Sequence, residues 1–306
     1  MNNESLAEPT LITIAGPTAV GKTELCLRLA KELNTEIISA DSRQFYREMN
    51  IGTAKPSPEE LATVKHHFIN SHSIAAEYSC GAFEADALVL LQQLFREKQV
   101  VILTGGSGLY IQALAEGLDE MPETEPAVRQ QLMAELAESG LEGLLNQLQQ
   151  LDPVYYKQVD RANPQRVVRA LEVCISSRQP YSSFRSRSRK ERPFRIIKIG
   201  LNRERPELYQ RIDFRMDQML EQGLAEEATA LYPYRDHNAL QTVGYKEIFD
   251  YLEGRQDWPE TVRLLKRNSR RYAKRQLTWF SKDPEFKWFH PDNWAALLAY
   301  ITQQSG

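Results

Sequence analysis

The sequence predicts an α/β protein: a P-loop NTPase-like parallel sheet core interrupted by an inserted helical domain. Three observations carry this prediction. Residues 16–23 read Gly-Pro-Thr-Ala-Val-Gly-Lys-Thr, a complete G-x-x-x-x-G-K-[ST] phosphate loop. Strand-like and helix-like segments alternate on either side of it, as they do where crossover helices join parallel strands. A block of consecutive helical segments then breaks the alternation before one more strand.

Taken in order, Leu11 to Ala15 is short, β-branched and apolar, and reads as the strand that feeds the loop. Gly16 and Gly21 let the backbone curl so that successive N–H groups face one concavity, and the helix behind adds the partial positive charge of its N-terminus. The nest of Gly16, Pro17, Thr18, Ala19, Val20, Gly21, Lys22 and Thr23 suits a di- or triphosphate. Lys22 can lie against the phosphate oxygens, and the Thr23 hydroxyl can ligate a magnesium ion that bridges them. A helix is expected over 23–33 and a second strand over 36–40. That strand ends at Asp41, whose carboxylate can hold magnesium through water, remove a proton from an acceptor beside the phosphates, or simply cap a turn.

Residues 81–97 are helical in pattern, 100–104 form a strand, Gly105-Gly106 is a turn, and another helix opens near Ser107. The strand over 100–104 has the apolar run of a Walker B strand but ends in Thr104-Gly105-Gly106, without an acid. A motor-type ATPase or GTPase would lack its metal aspartate here. The chain is equipped to hold a polyphosphate and not to hydrolyse it with water. From about Leu118 the character changes: 119–126 is acidic and Pro-rich, and 127–139, 141–151 and 163–177 have helical periodicity. Residues 118–194 are thus read as the insertion, and 1–117 with 195–306 as the core. The core resumes with a strand over 195–201 and is helical thereafter, with breaks at Gly223, Pro233, 240–245, Gly254 and Pro259.

Composition is that of an ordinary globular chain, 26% charged and 42% hydrophobic, with no run near the ~20 apolar residues a membrane span needs. Met1 to Pro9 is acidic and polar, without the apolar core of a signal peptide, so a cytoplasmic location is expected. Cys26, Cys80 and Cys174 are far apart on apolar helical faces and read as reduced core thiols. The five histidines form no zinc spacing. The net charge of −3 conceals two basic runs, 185–195 and 263–275, with aromatic residues interleaved. In the second, Arg263, Arg267, Arg270 and Lys274 step along one helical face. Together the runs point toward a polyanion larger than a nucleotide.

Beyond the phosphate loop, a series of motifs occurs in order: Ser39-Ala40-Asp41-Ser42-x-Gln44-x-Tyr46, Met49 to Pro56, Gly105 to Tyr110, Asn163 to Glu172, Val243-Gly244-Tyr245 and Ala273-Lys274-Arg275-Gln276-x-Thr278-Trp279. With the loop, this series resembles the bacterial tRNA dimethylallyltransferases, also called tRNA isopentenyltransferases, over about residues 11–290. The resemblance implies transfer of a dimethylallyl group from dimethylallyl diphosphate to the exocyclic amine of the adenosine 3′ of the tRNA anticodon, with magnesium as cofactor. It implies Asp41 as the base, with Lys22 and Thr23 on the diphosphate and Arg215 reaching it. It implies tRNA contacts at Asp41, Ser42, Arg43, Gln44, Ser107, Arg129, Gln165, Arg166, Val167, Val168, Arg169, Thr242, Val243, Gly244, Tyr245, Lys246 and Glu247, and a monomer off the membrane. Gln44 carries an amide of the kind that reads an adenine edge. Ser107 stands where many relatives have threonine, and Lys246-Glu247 departs from their charge pattern. A small-molecule kinase accounts equally well for the first hundred residues but not for the basic segments. An enzyme prenylating free AMP or ADP would not need Arg166, Arg169 and the 263–275 face.

Overall fold

A computed structural model describes residues 8–186 and 188–305. Most of the polar N-terminal stretch read above, and Arg187 of the first basic run, lie outside them. The chain forms two compact units, Met1–Glu116 with Glu191–Gly306, and Gly117–Lys190. The larger unit begins with β1 (Thr10–Ala15), α1 (Lys22–Glu32), β2 (Ile37–Ser39), α2 (Pro58–Thr63), β3 (His66–His67), α3 (Cys80–Leu94), β4 (Val100–Gly105) and α4 (Gly108–Glu116). The smaller unit holds α5 (Pro126–Ser139), α6 (Leu141–Leu151), α7 (Pro153–Tyr156) and α8 (Pro164–Ser177). The larger resumes with β5 (Arg195–Leu201), α9 (Arg205–Glu221), α10 (Leu224–Leu231), α11 (Tyr245–Leu252), α12 (Trp258–Phe280), β6 (Lys287–Phe289) and α13 (Trp294–Ser305).

The strands make one six-stranded sheet in the order β3-β2-β4-β1-β5-β6, every pairing parallel. β1 lies in the interior of the sheet with all six residues buried, which is why it reads as a continuous apolar run rather than an alternation. Successive residues serve opposite faces. Ile12 and Ile14 pack with Leu25, Leu29, Ile199 and Leu208, while Leu11 packs with Phe83, Leu91, Val101 and Leu114. A third cluster, including Met49, Met216, Leu224, Leu240, Tyr245 and Leu265, joins α9 to α12. The smaller unit has its own core of Leu132, Leu144, Leu148, Val167, Val168 and Leu171.

Two elements depart from the sequence reading. The C-terminal part is not wholly helical: β6 extends the sheet through pairing of Ile199 to Leu201 with Lys287 to Phe289, and three residues are too few to display a period. Pro259 does not break a helix. It occupies the first turn of α12, where a missing N–H is harmless, and Asp257 caps that turn by accepting from the Glu260 N–H. Residues 191–194, read as part of the insertion, belong to the larger unit, where the Arg192 guanidinium donates to Glu84 and to the Ala113 and Leu114 carbonyls and Phe194 is buried. All three cysteines are free thiols. Cys26 and Cys174 are buried as expected, whereas Cys80 is half-buried at the start of α3. Among the described residues, no helix is long and apolar enough to cross a membrane.

Lys198 on β5 holds the far side of the sheet together. Only 6% exposed, its ammonium donates to Glu116, Asp283 and Glu285 at 2.6, 2.7 and 2.8 Å. Burial alone would lower its pKa, but the three carboxylates outweigh burial and hold it above the usual lysine value. The stabilisation is therefore full below the ordinary lysine pKa and is lost as pH rises through the raised one. Lys198→Met should destabilise the protein by about 3 kcal/mol, because three gathered carboxylates lose their cation. Urea unfolding at pH 7 measures this, and a change below about 1 kcal/mol would show the cluster to be idle.

Candidate active site

The carboxyl ends of β1, β2 and β4 meet at the phosphate loop, as the fold requires of a ligand site on a parallel sheet. β1 runs directly into the loop, and α1 starts at Lys22. The Lys22 ammonium donates to the Gly16 and Pro17 carbonyls at 2.9 and 2.8 Å. Other loop carbonyls are also taken up by cations: Arg211 Nε reaches Ala19 and Arg203 Nε reaches Val20, each at 2.9 Å. With those acceptors occupied, the loop presents little negative charge to an incoming anion. One expected nest amide is diverted, since the Thr18 N–H donates to Gln276 Oε1 at 2.9 Å.

Burial pushes the Lys22 pKa down to about 8, against the pull of Asp41 and with the help of the Arg215 charge. The Arg215 guanidinium is likewise pushed below its usual value by burial, opposed by Asp41. Its only hydrogen bonds among the described residues are long, to Thr18 Oγ1 at 3.5 Å and the Ala54 carbonyl at 3.4 Å. Two half-buried cations thus share the field of Asp41, and Glu60 also acts on Arg215. An anion with several oxygens would relieve both.

Asp41 follows β2 directly. Its Oδ1 accepts the Arg43 N–H at 3.0 Å, so one oxygen does serve a turn, while Oδ2 has no hydrogen-bond partner among the described residues. Ser107 locks this exit to the next, its hydroxyl donating to Ser42 Oγ at 3.1 Å and accepting the Ser42 N–H at 2.9 Å. Where β4 turns into Gly105-Gly106 there is no room for a side chain. A Cβ on Gly105 would lie 2.2 Å from the Ala40 carbonyl oxygen, and one on Gly106 would lie 2.1 Å from Gln276 Nε2. Gln276 fills that space because it also donates to the Gly106 carbonyl at 2.9 Å.

These groups line a cavity of about 500 Å³. Lys22, Thr23, Asp41, Arg211 and Arg215 give it a polar wall, and Ile212, Met216, Met219, Leu224 and Val243 an apolar one. Arg43, Gln44, Thr242 and Gly244 also line it, as do Lys55, Tyr272 and Gln276, to which the sequence reading gave no role. Burial, with the Asp41 charge behind it, holds the Tyr272 phenol well above its usual pKa and keeps it a hydrogen donor.

Several expected contact residues turn out to be structural. Tyr245 is fully buried, and Glu247 is 5% exposed with its carboxylate accepting from the Gly244 N–H and from Asn268 Nδ2. Neither side chain faces outward. The Gln44 amide is spent internally, accepting from the Ser39 hydroxyl and donating to the Thr53 and Ala54 carbonyls, so it is not free to read a base. In the smaller unit Val167 and Val168 are core residues. Arg129 and Arg169 both lean on the buried Glu172 carboxylate at 3.1 and 3.4 Å, Gln165 accepts from Arg129, and Arg166 is exposed. The cationic face of α12 is partly neutralised, Arg270 pairing with Asp213, Lys266 with Asp217 and Arg263 with Glu260.

A depressed lysine pKa makes anion binding dependent on pH. Inorganic pyrophosphate should raise the Tm of the protein below pH 8, and the shift should shrink as pH climbs through about 8 and Lys22 sheds its proton. Pyrophosphate itself gains charge over that range, so a shrinking shift singles out the protein's cation. Lys22→Ala should abolish the shift in differential scanning fluorimetry; an undiminished one would take Lys22 out of the anion site.

The chain is also similar to known proteins. A family model described as IPP transferase matches residues 44–283, a span that begins just past the phosphate loop and Asp41. A tRNA dimethylallyltransferase of Porphyromonas gingivalis is 53% identical over 283 residues, covering 92% of this chain and 94% of that protein. The full-length tRNA isopentenylpyrophosphate transferase of Bacillus halodurans has a solved structure that matches with a TM-score of 0.72 and 37% identity over 97% of each chain. A eukaryotic dimethylallyltransferase, solved in a study of its action on tRNA, matches with a TM-score of 0.78 and 25% identity over 96% of this chain and 80% of that one. A family match over well more than half the chain, with relatives at about 50% identity over nearly all of it, leaves one conclusion: the chain belongs to the IPP transferase family.

Proposed function

We propose that this protein is a tRNA dimethylallyltransferase, moving a dimethylallyl group from dimethylallyl diphosphate to the exocyclic N6 amine of the adenosine 3′-adjacent to the anticodon and releasing pyrophosphate. The observation that carries the reading is one pocket in which Lys22 and Arg215, both half-buried, stand with the Asp41 carboxylate, with Glu24 and Glu60 also in the lining, and with no acid at the end of β4. The C–O bond of an allylic diphosphate breaks more easily as charge on the departing pyrophosphate is neutralised, and Lys22, the loop amides and Arg215 do this in a water-poor site. The apolar wall of Ile212, Met216, Met219 and Leu224 takes the five-carbon group and keeps water from its electron-poor carbon.

The adenine amine is a weak nucleophile because its lone pair is shared with the ring. As the C–N bond forms, Asp41 accepts the amine proton, a contribution of ~10²–10⁴ in rate. The Thr23 hydroxyl is a hard oxygen donor in the same lining and fits magnesium. When bound, that ion supplies further neutralisation of pyrophosphate charge. The target base leaves its stack in the anticodon loop for a few kcal/mol, since the loop is single-stranded. Arg129, Arg166 and Arg169 engage the tRNA backbone, and Glu172 keeps the first and last of them in fixed positions.

Incubation with radiolabelled dimethylallyl diphosphate and either tRNA or AMP tests the reading. Label should enter tRNA. Label in AMP alone would identify a free-nucleotide prenyltransferase, and phosphoryl transfer from ATP without prenylation would identify a kinase. Asp41→Ala should lower turnover by at least ~10² while diphosphate and tRNA still bind; a wild-type kcat would remove Asp41 from the chemistry. Alanine at both Arg166 and Arg169 should weaken tRNA binding and flatten the slope of log K against log salt by about 0.7–0.9 for each phosphate that is no longer neutralised. An unchanged slope would place the tRNA backbone elsewhere.

A further inference from the structure

Between β2 and α2 the chain passes along the pocket as Gly52-Thr53-Ala54-Lys55-Pro56. This segment has little regular structure and is tied locally by the Thr53 hydroxyl, which donates to the Met49 and Asn50 carbonyls. It is a single 3₁₀ turn, Ile51 to Thr53, closed by Ala54 in the left-handed region at φ +50°, a conformation that costs an alanine about 1–2 kcal/mol. Its carbonyls nonetheless set two neighbours: Ala54 accepts from Arg215 at 3.4 Å, and Thr53 and Ala54 both accept from the Gln44 amide at 3.2 Å. The orientation of Arg215 therefore depends on where residue 54 stands.

A carboxylate outside the pocket holds the segment. Glu227, on α10, accepts three consecutive backbone N–H groups: Asn50 and Ile51 at 3.0 and 2.8 Å on one oxygen, Gly52 at 3.0 Å on the other. The Tyr245 hydroxyl donates to the second oxygen at 2.6 Å. Burial and the Glu227 charge keep the Tyr245 phenol far above its usual pKa, so this donor does not ionise. Four donors converge on one carboxylate. On the other side of the segment, the Lys55 ammonium donates to the Tyr46 carbonyl and the Asn50 and Asn70 side chains at 2.5, 3.1 and 2.6 Å, closing the turn against β2's exit. None of the Glu227 atoms lines the cavity, so a contact with substrate is not its role.

We propose that Glu227 is a positioning residue for prenyl transfer: by gripping the N–H groups of residues 50–52 it sets the Ala54 carbonyl that orients Arg215 toward the diphosphate. The proposal rests on the transferase reading above. Glu227→Gln keeps the volume but replaces one accepting oxygen with an NH₂ that faces donors. It should lower kcat for dimethylallyl transfer at least tenfold and raise the KM for dimethylallyl diphosphate, while the Kd for tRNA stays within twofold of wild type.

The decisive comparison is a double-mutant cycle. In an Arg215→Ala background the further loss on adding Glu227→Gln should be less than threefold, because the group being oriented is gone. A full tenfold loss in that background, a parallel weakening of tRNA binding, or near-wild-type kcat and KM would each overturn the proposal. Should Glu227→Gln not accumulate as folded protein, Glu227→Asp, which keeps the charge and withdraws the oxygens by one methylene, carries the same comparison. A wild-type protein that labels no tRNA would refute the transferase reading itself. A wild-type protein that labels tRNA alongside a fully active Glu227→Gln would refute only the role of Glu227.

Discussion

Two half-buried cations face the Asp41 carboxylate across one cavity, and the architecture is organised to make that arrangement tolerable. Lys22 and Arg215 come from distant parts of the chain, one from the start of α1 and one from the middle of α9, and Asp41 comes from the exit of β2. The parallel sheet delivers all three to one rim. With its pKa lowered to about 8, Lys22 is still mostly charged at neutral pH, but the charged form is less favoured than in water because Asp41 and the loop carbonyls that receive its ammonium only partly offset burial. The arrangement carries a cost that a bound anion relieves. Binding affinity for a diphosphate is stored in the fold as electrostatic tension before any ligand arrives.

Around that centre the protein uses backbone polar groups more than side-chain contacts. Arg203, Arg211 and Gln276 each fasten the phosphate loop, Ser107 fastens the Asp41 exit, and Gln44 fastens the turn at 53–54. These side chains come from α9, α12 and three separate loops. A rigid rim follows from many small long-range ties rather than from the stiffness of any loop. The smaller unit applies the same economy, with the buried Glu172 carboxylate holding both Arg129 and Arg169.

Much of this was legible in the sequence because it is written in local pattern. The phosphate loop between Ala15 and α1, the apolar strands and the amphipathic α6, α8 and α12 all declare themselves within a dozen residues. What escaped is non-local. β6 spans three residues and exists only because β5 offers an edge. Gln44, Tyr245 and Glu247 have side-chain chemistry suited to recognition, and nothing in their neighbours along the chain announces that Thr53, Glu227 and Asn268 will occupy them. The cationic face of α12 reads as one charged stripe until α9 lays Asp213 and Asp217 against it. Glu227 stands in an ordinary Glu-Glu pair, and its role appears only when α10 packs beside residues 50–52. A motif names the residues that a reaction needs; it does not distinguish those that touch the substrate from those that hold others still.

The crowding of Gly105 against the Ala40 carbonyl has a wider consequence. An acid at position 105 would need room that only a displaced β2 exit could provide, and Asp41 is the next residue along that exit. An acid placed there would therefore dismantle the acceptor side as it entered. At this residue the fit between neighbouring strands is set by van der Waals radii, and the carboxylate that follows β2 depends on its neighbour in β4 having no side chain.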